Sequence, residues 1–166
     1  MGASGWQYFV PYQEDVQQAL TDLRAQVFES GKYYKRFPFW QTMNEEDYQN
    51  GDPDQAKYMV NWLRQMKAMK EPTTIEELME WNGEEGTHSI LDIEWVGDLP
   101  EYGVAVPISE EVLIDVFGDA QPSHARVEAN LSALYAAIDR RYEATYFIIY
   151  DDGKPAEILF IGFSGD

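Results

Sequence analysis

Gly86-Thr87-His88-Ser89-Ile90-Leu91-Asp92-Ile93-Glu94-Trp95-Val96 is the stretch that most constrains the fold. Read with the two-residue period of a strand, Leu91, Ile93 and Trp95 share one face. Ile90, Asp92, Glu94 and Val96 share the other, with His88 just before them. One face is wholly apolar and the other is mixed. The pattern predicts a central strand whose sheet buries one face and leaves the other partly wet. Gly86 opens the stretch, and Gly97-Asp98 followed by Pro100 closes it.

The flanking elements follow from the same logic. Trp6 to Tyr12 reads as a short strand ending near Pro11. Val16, Ala19, Leu20, Leu23 and Val27 recur at helical spacing, and Ser30-Gly31 stops that helix with a left-handed cap. Residues 41–51 are polar and read as a loop. Asp52-Pro53 starts a second helix, with Asp52 as cap, Pro53 at the first helical position and Gln55 as the capping-box partner; Glu71-Pro72 ends it. Thr73, with Glu76 three residues on, opens a third helix that closes at Asn82-Gly83. Val104 to Pro107 is a second short strand after the central one. Ser109 caps a short helix that ends at Gly118. Pro122-Ser123 begins a longer helix with Val127, Leu131, Leu134 and Ile138 inside and Arg140 and Arg141 at its end. Thr145 to Tyr150 and Ala156 to Phe163 flank Asp151-Asp152-Gly153-Lys154, a hairpin signal.

The element order is strand, three helices, two strands, two helices, two strands. It lacks the strict strand–helix alternation of a doubly wound sheet, and its neighbouring strands are close enough for hairpins. The expected class is α+β: a mixed or mainly antiparallel sheet of about five strands with helices packed on one face. A chain of 166 residues is long enough to bury a core without staples, and residues 1–166 are expected to form a single globular domain. There is no cysteine, which removes disulfides, thiolate metal sites and a cysteine nucleophile and fits a cytoplasmic protein. No apolar run is long enough to span a membrane. The first residues carry neither a signal-peptide pattern nor, with Trp6 at the sixth place, a myristoylation pattern.

Three stretches carry a resemblance: Gly5-Trp6-x-Tyr8-x-Val10-Pro11-Tyr12-Gln13, the central Gly86 to Glu94, and Phe160 to Asp166. Together they resemble a group of uncharacterised bacterial proteins with no known activity. The resemblance spans nearly the whole chain. It implies bacterial origin and a single domain, and it carries over no catalytic residue.

Three sets of side chains are candidates for function. His88, Asp92 and Glu94 sit on the mixed face and could form an acid/base set or hold a divalent ion. His88 and Asp92 lie about 13 Å apart along an extended strand, so they share one ion only if the backbone bends. The plain alternative is a solvated strand face. Trp6, Tyr8 and Trp40, with Trp62, Trp81 and Trp95, could wall a pocket for a planar ligand; core packing is the plain alternative, above all for Trp62 and Trp95. His124, next to the cap Ser123, is expected to be exposed. No phosphate-binding loop, dinucleotide glycine pattern, nucleophile elbow or zinc-protease motif is present, and neither a cofactor nor a metal is implied.

The third set rests on charge. Thirty acids against twelve bases give a net charge of −18. That balance disfavours nucleic-acid backbones, although bases and rings interleave from Lys32 to Trp40. It suits solubility, and it suits a basic protein partner. Glu76, Glu77, Glu80, Glu84 and Glu85 form the densest acidic run. The sequence therefore ranks a binding or interaction protein first, an immunity-like role among its forms. An enzyme at His88, Asp92 and Glu94 comes second and a small-molecule binder third. It does not speak to oligomeric state.

Overall fold

The structure, a computed structural model, describes residues 4–48, 52–138 and 144–164. The chain divides into two compact units, one made of residues 1–34 and 82–166 and the other of residues 35–81. Asn50-Gly51 of the expected loop, Arg140 and Arg141 at the expected helix end, and Gly165-Asp166 of the closing motif lie outside the described residues.

The first unit holds a five-stranded sheet. Its strands are β1 (Gly5–Pro11), β2 (Trp95–Val96), β3 (Val104–Pro107), β4 (Ala144–Asp151) and β5 (Lys154–Phe163), in the order β1-β5-β4-β3-β2. The pairs β1–β5 and β4–β5 are antiparallel, and β4–β3 and β3–β2 are parallel. The fold is thus α+β with a mixed sheet. The β4–β5 hairpin forms as its turn chemistry dictates: Asp152 and Gly153 both take positive φ, 47° and 72°, as a two-residue primed turn requires.

β5 runs through the core. Ile158, Leu159, Phe160 and Ile161 are all fully buried. Four consecutive buried strand residues mean that both faces are covered. Leu159 and Ile161 join Phe147 and Ile149 of β4 under Leu113, Phe117, Val127 and Leu134. The last four come from helices α4 (Glu110–Phe117), α5 (His124–Ala129) and α6 (Leu131–Ala137), which pack on that face. On the other face Tyr8 of β1 pairs with Phe160, and its hydroxyl sits beside Ser89 and the backbone of Ile90. The expected single helix from Ser123 is two short ones. Asn130, with φ −122° and ψ 16°, breaks it, and its Nδ2 donates to Arg126 O at 2.8 Å. A short amide side chain that bonds its own backbone competes with helical continuation.

Two readings of the central stretch are overturned. It is not the central strand: only Trp95 and Val96 are extended, and they form the edge strand β2. Residues Ile90–Asp92 make a 3₁₀ turn instead. Nor are β2 and β3 a hairpin, since they run parallel. A two-residue strand is short enough for the link 97–103 to return the chain to its start. Leu91 and Ile93 are buried as expected, but Trp95 is 53% exposed.

Helix α1 (Val16–Ser30) starts at Asp15, whose carboxylate accepts from the Gln18 N–H, and ends at Gly31 with φ 67°. Its Arg24 donates to Leu91 O at 3.3 Å. Its Gln17 lies along the open side of β2: Oε1 accepts from the Val96 N–H at 2.8 Å, and Nε2 donates to Glu94 O at 3.4 Å. One amide side chain thus occupies the backbone groups with which a further strand would pair, a way of blunting a sheet edge.

His124 is not simply exposed. Its Nδ1 lies 2.6 Å from Glu157 Oε2 and its Nε2 lies 3.4 Å from Glu128 Oε1. The hydrogen bond to Glu157, with the charge of both acids, lifts its pKa above the usual 6.5. A value raised on folding means that the contribution to stability is full below about 6.5 and fades as pH climbs through the folded value. The ring is 43% exposed, so solvent screens the effect. A histidine NMR titration should place the His124 midpoint above that of a free imidazole. Glu157→Gln should lower it more than Glu128→Gln; the reverse order would mean that the 2.6 Å contact is not the dominant one.

The second unit holds helix α2 (Pro53–Ala68) and most of α3 (Ile75–Asn82), with 3₁₀ turns at Phe39–Thr42 and Glu45–Tyr48. Asp52 caps α2 as expected, accepting from the Asp54 and Gln55 N–H groups. The cap of α3 falls one residue later than expected. Thr74 Oγ1 accepts from the Glu77 N–H, and the Glu77 carboxylate accepts from the Thr73 N–H and hydroxyl. Trp40, Leu63 and Trp81 form the core of this unit. Of the mixed run from Lys32 to Trp40, Trp40 enters that core. Trp40 packs 5.2 Å from Trp81, Lys35 pairs with Glu71, and Arg36 lies over Phe39. Arg64 grips Glu45 with two hydrogen bonds of 3.0 and 2.6 Å.

Candidate functional site

The first half of the central stretch is held by a knot of hydrogen bonds around Asp92. Gly86 adopts φ 62° and ψ −161°, and His88 adopts φ 55°. The chain folds back between them, so that Thr87 meets Asp92 rather than lying a strand's length away. The Thr87 N–H and hydroxyl both donate to Asp92 Oδ1, at 2.6 and 2.7 Å. Thr87 Oγ1 also lies 2.8 Å from Ser89 Oγ, which in turn accepts from the Leu91 N–H. Asn82, fully buried, donates to Gly86 O and Tyr34 O, while Tyr34 N–H donates to Thr87 O. Buried polar groups need partners, and here they find them within the loop.

This geometry separates the three predicted residues. Asp92 is largely buried, and burial raises its pKa. The Thr87 hydroxyl and N–H, the Ser89 N–H and the nearby His88 oppose the rise without cancelling it. His88 stacks on Tyr34, with ring centroids 4.5 Å apart and planes 11° apart. Its Nε2 is buried without a hydrogen-bond partner. Glu94 is exposed and belongs to the segment held by Gln17. Thr87 and Ser89 are occupied inside the knot and are not poised as nucleophiles. Among the described residues no group of three histidine or acidic side chains is arranged to hold a metal ion.

Asp92 does border a cleft. Its walls are Trp6, Glu84, Glu85, Tyr102, Phe163 and the backbone of Gly86. The cavity measures about 20 Å³, room for about one water and far below the several hundred Å³ of a cofactor site. The aromatic set does not share it. Trp6 lines this cleft, Tyr8 is partly buried on the sheet face, and Trp40 is a core residue of the other unit. Larger grooves of about 200 and 310 Å³ lie along β3, walled mainly by apolar side chains such as Pro107, Ile108 and Ile138 or Leu113 and Phe147.

The five glutamates of the acidic run are all exposed. Glu76, Glu77 and Glu80 belong to one unit, and Glu84 and Glu85 to the other. Glu77 is committed to the α3 cap, and Glu85 accepts from the Tyr34 hydroxyl at 2.6 Å. They are part of a longer feature. From Glu71 to Ala125 the chain holds fourteen acids and no lysine or arginine. Every one of those acids except Asp92 is exposed.

Sequence reasoning missed the segment 94–102. Trp95, Leu99 and Tyr102 are 53%, 69% and 65% exposed. Glu94, Asp98 and Glu101 alternate with them and are exposed too. The base-free run and the acid–apolar alternation were readable signals, but assigning Trp95 to a buried face concealed them. No helix among the described residues is long and apolar enough to cross a membrane. Comparison of the chain with protein families, with curated proteins and with solved structures finds no match.

Proposed function

We propose that this protein is an acidic interaction module that recognises a basic protein. The carrying observation is the run from Glu71 to Ala125, which holds no lysine or arginine and whose acids are all exposed except Asp92. Folding gains nothing from such an excess, because like charges repel one another. Solubility needs acids but not their segregation from bases, since mixed surfaces dissolve well. Segregated charge raises the rate at which an oppositely charged partner arrives. The knot around Asp92 supports the same reading: its polar groups are spent on holding a loop, and its cleft admits about one water.

Affinity capture from the native host tests the reading. The proteins retained at low salt should be basic. A retained partner, once purified, should associate more slowly as salt rises from about 0.05 to 0.5 M, where the screening length shrinks several-fold. Retention of no basic protein, or an association rate indifferent to salt, would remove the reading.

A further inference from the structure

We infer that the partner docks on the segment from Glu94 to Tyr102, and that it does so through side chains rather than by adding a strand to the sheet. The inference rests on the interaction reading for the sign of the partner's charge. The surface itself stands on separate observations. Exposed large apolar side chains are unremarkable one at a time, but Trp95 of β2 and Leu99 and Tyr102 of the link after it fall within eight positions of the chain. That segment is closed on itself. Gly103 O accepts from both the Glu94 and Trp95 N–H groups, at 2.7 and 3.3 Å, and the Val104 N–H donates to Glu101 O at 3.1 Å. These bonds tie the two ends of the segment together. Tryptophan and tyrosine are the residues that most often carry binding energy at interface centres, and a charged rim around them sets partner choice.

The occupant follows from charge and from Gln17. Glu94, Asp98 and Glu101 are interleaved with the apolar side chains, the run from Glu71 to Ala125 holds no lysine or arginine, and Arg24 of α1 is turned to the Leu91 carbonyl. A second copy of the chain would bring the same acids against themselves, because a twofold interface repeats one patch. Nucleic acid and anionic lipid are repelled for the same reason. A basic protein surface with an apolar centre is complementary in both respects. An extended peptide that pairs with β2 is excluded, since Gln17 already holds Val96 N–H and Glu94 O.

The test uses three capped heptapeptides on the whole protein: alternating lysine and leucine, glutamine in place of lysine, and serine in place of leucine. The lysine–leucine peptide should bind more tightly than either of the others, with the largest NMR shifts at the Trp95 indole N–H and the Leu99 methyls. Trp95→Ser with Leu99→Ser should weaken it about tenfold or more. Glu94→Gln with Asp98→Asn and Glu101→Gln should flatten its salt dependence. Glu76→Gln with Glu80→Gln and Glu84→Gln should leave its affinity within about twofold. Shifts centred on α3 or scattered over the acidic surface would remove this docking site and leave the interaction reading standing. So would a lysine–serine peptide that binds as well as lysine–leucine. If lysine–leucine binds no better than glutamine–leucine, both fall. Shift mapping on the unaltered protein decides the matter even if a variant fails to fold.

Discussion

Replacing Gly86 by alanine is expected to destabilise the protein by about 2–4 kcal/mol, among the largest effects of any single methyl group in the chain. Two costs add at this position. With φ 62° and ψ −161°, Gly86 occupies a region that residues with a Cβ essentially do not enter. A Cβ built there would also lie 3.0 Å from Asp92 Oδ1, 3.1 Å from Oδ2 and 3.2 Å from Cγ. Asp92 cannot swing aside cheaply, because its carboxylate holds the Thr87 N–H and hydroxyl. Moving it would leave those donors unmet in a buried place. Gly31 provides the control. It has φ 67° at the end of α1, and a Cβ there meets nothing within 4 Å. Gly31→Ala should cost only about 1 kcal/mol, the ordinary penalty of a left-handed alanine. Denaturant melts of the two variants decide it. Equal losses would mean that the contact between Gly86 and Asp92 contributes nothing.

The elements that were legible in the sequence are those whose signals are local. Asp52 and Ser109 cap helices because a short side-chain oxygen reaches the next free N–H groups. Gly31 and Gly118 end helices because both hold positive φ. Asp152-Gly153 turns a hairpin for the same reason. The strands β1, β4 and β5 alternate or are continuously apolar over lengths that admit few other readings. The stretch from Gly86 to Val96 deceived because its apolar residues also fit a period of two. Thr87, Ser89 and Asp92 are side chains that bond their own backbone, and their spacing argues for a turn. Ile90 and Leu91, adjacent and both fully buried, suit a turn plugged into the core better than a strand with one wet face. What no periodicity could show is Asn82 reaching both Gly86 and Tyr34, or Gln17 reaching β2 from 79 positions away. The Tyr34 and Gln17 contacts join residues 48 and 79 positions apart, beyond the reach of any local pattern.

The separation of Leu91 from Trp95 gives the second large effect. Under the strand reading, Leu91, Ile93 and Trp95 form one buried face, and trimming any of them to alanine should be severe. The structure separates them. Leu91 is fully buried in the 3₁₀ turn, and its carbonyl accepts from Arg24. Leu91→Ala removes three carbons from a packed site and should cost about 2–5 kcal/mol, the spread reflecting how far the neighbours collapse into the space. Trp95 is larger and has more area to lose, yet the residue is 53% exposed. Its backbone N–H bond to Gly103 O does not depend on the side chain. Trp95→Ala should therefore change stability by less than about 1 kcal/mol, within the range of surface substitutions that touch no special feature. Urea melts of the two variants, fitted with a common slope, give the comparison directly. A loss for Trp95→Ala equal to that of Leu91→Ala would return Trp95 to the core and withdraw the docking surface with it. A small loss for Trp95→Ala, accompanied by weaker binding of the lysine–leucine peptide, would mean that the largest side chain in the alternation serves the partner rather than the fold.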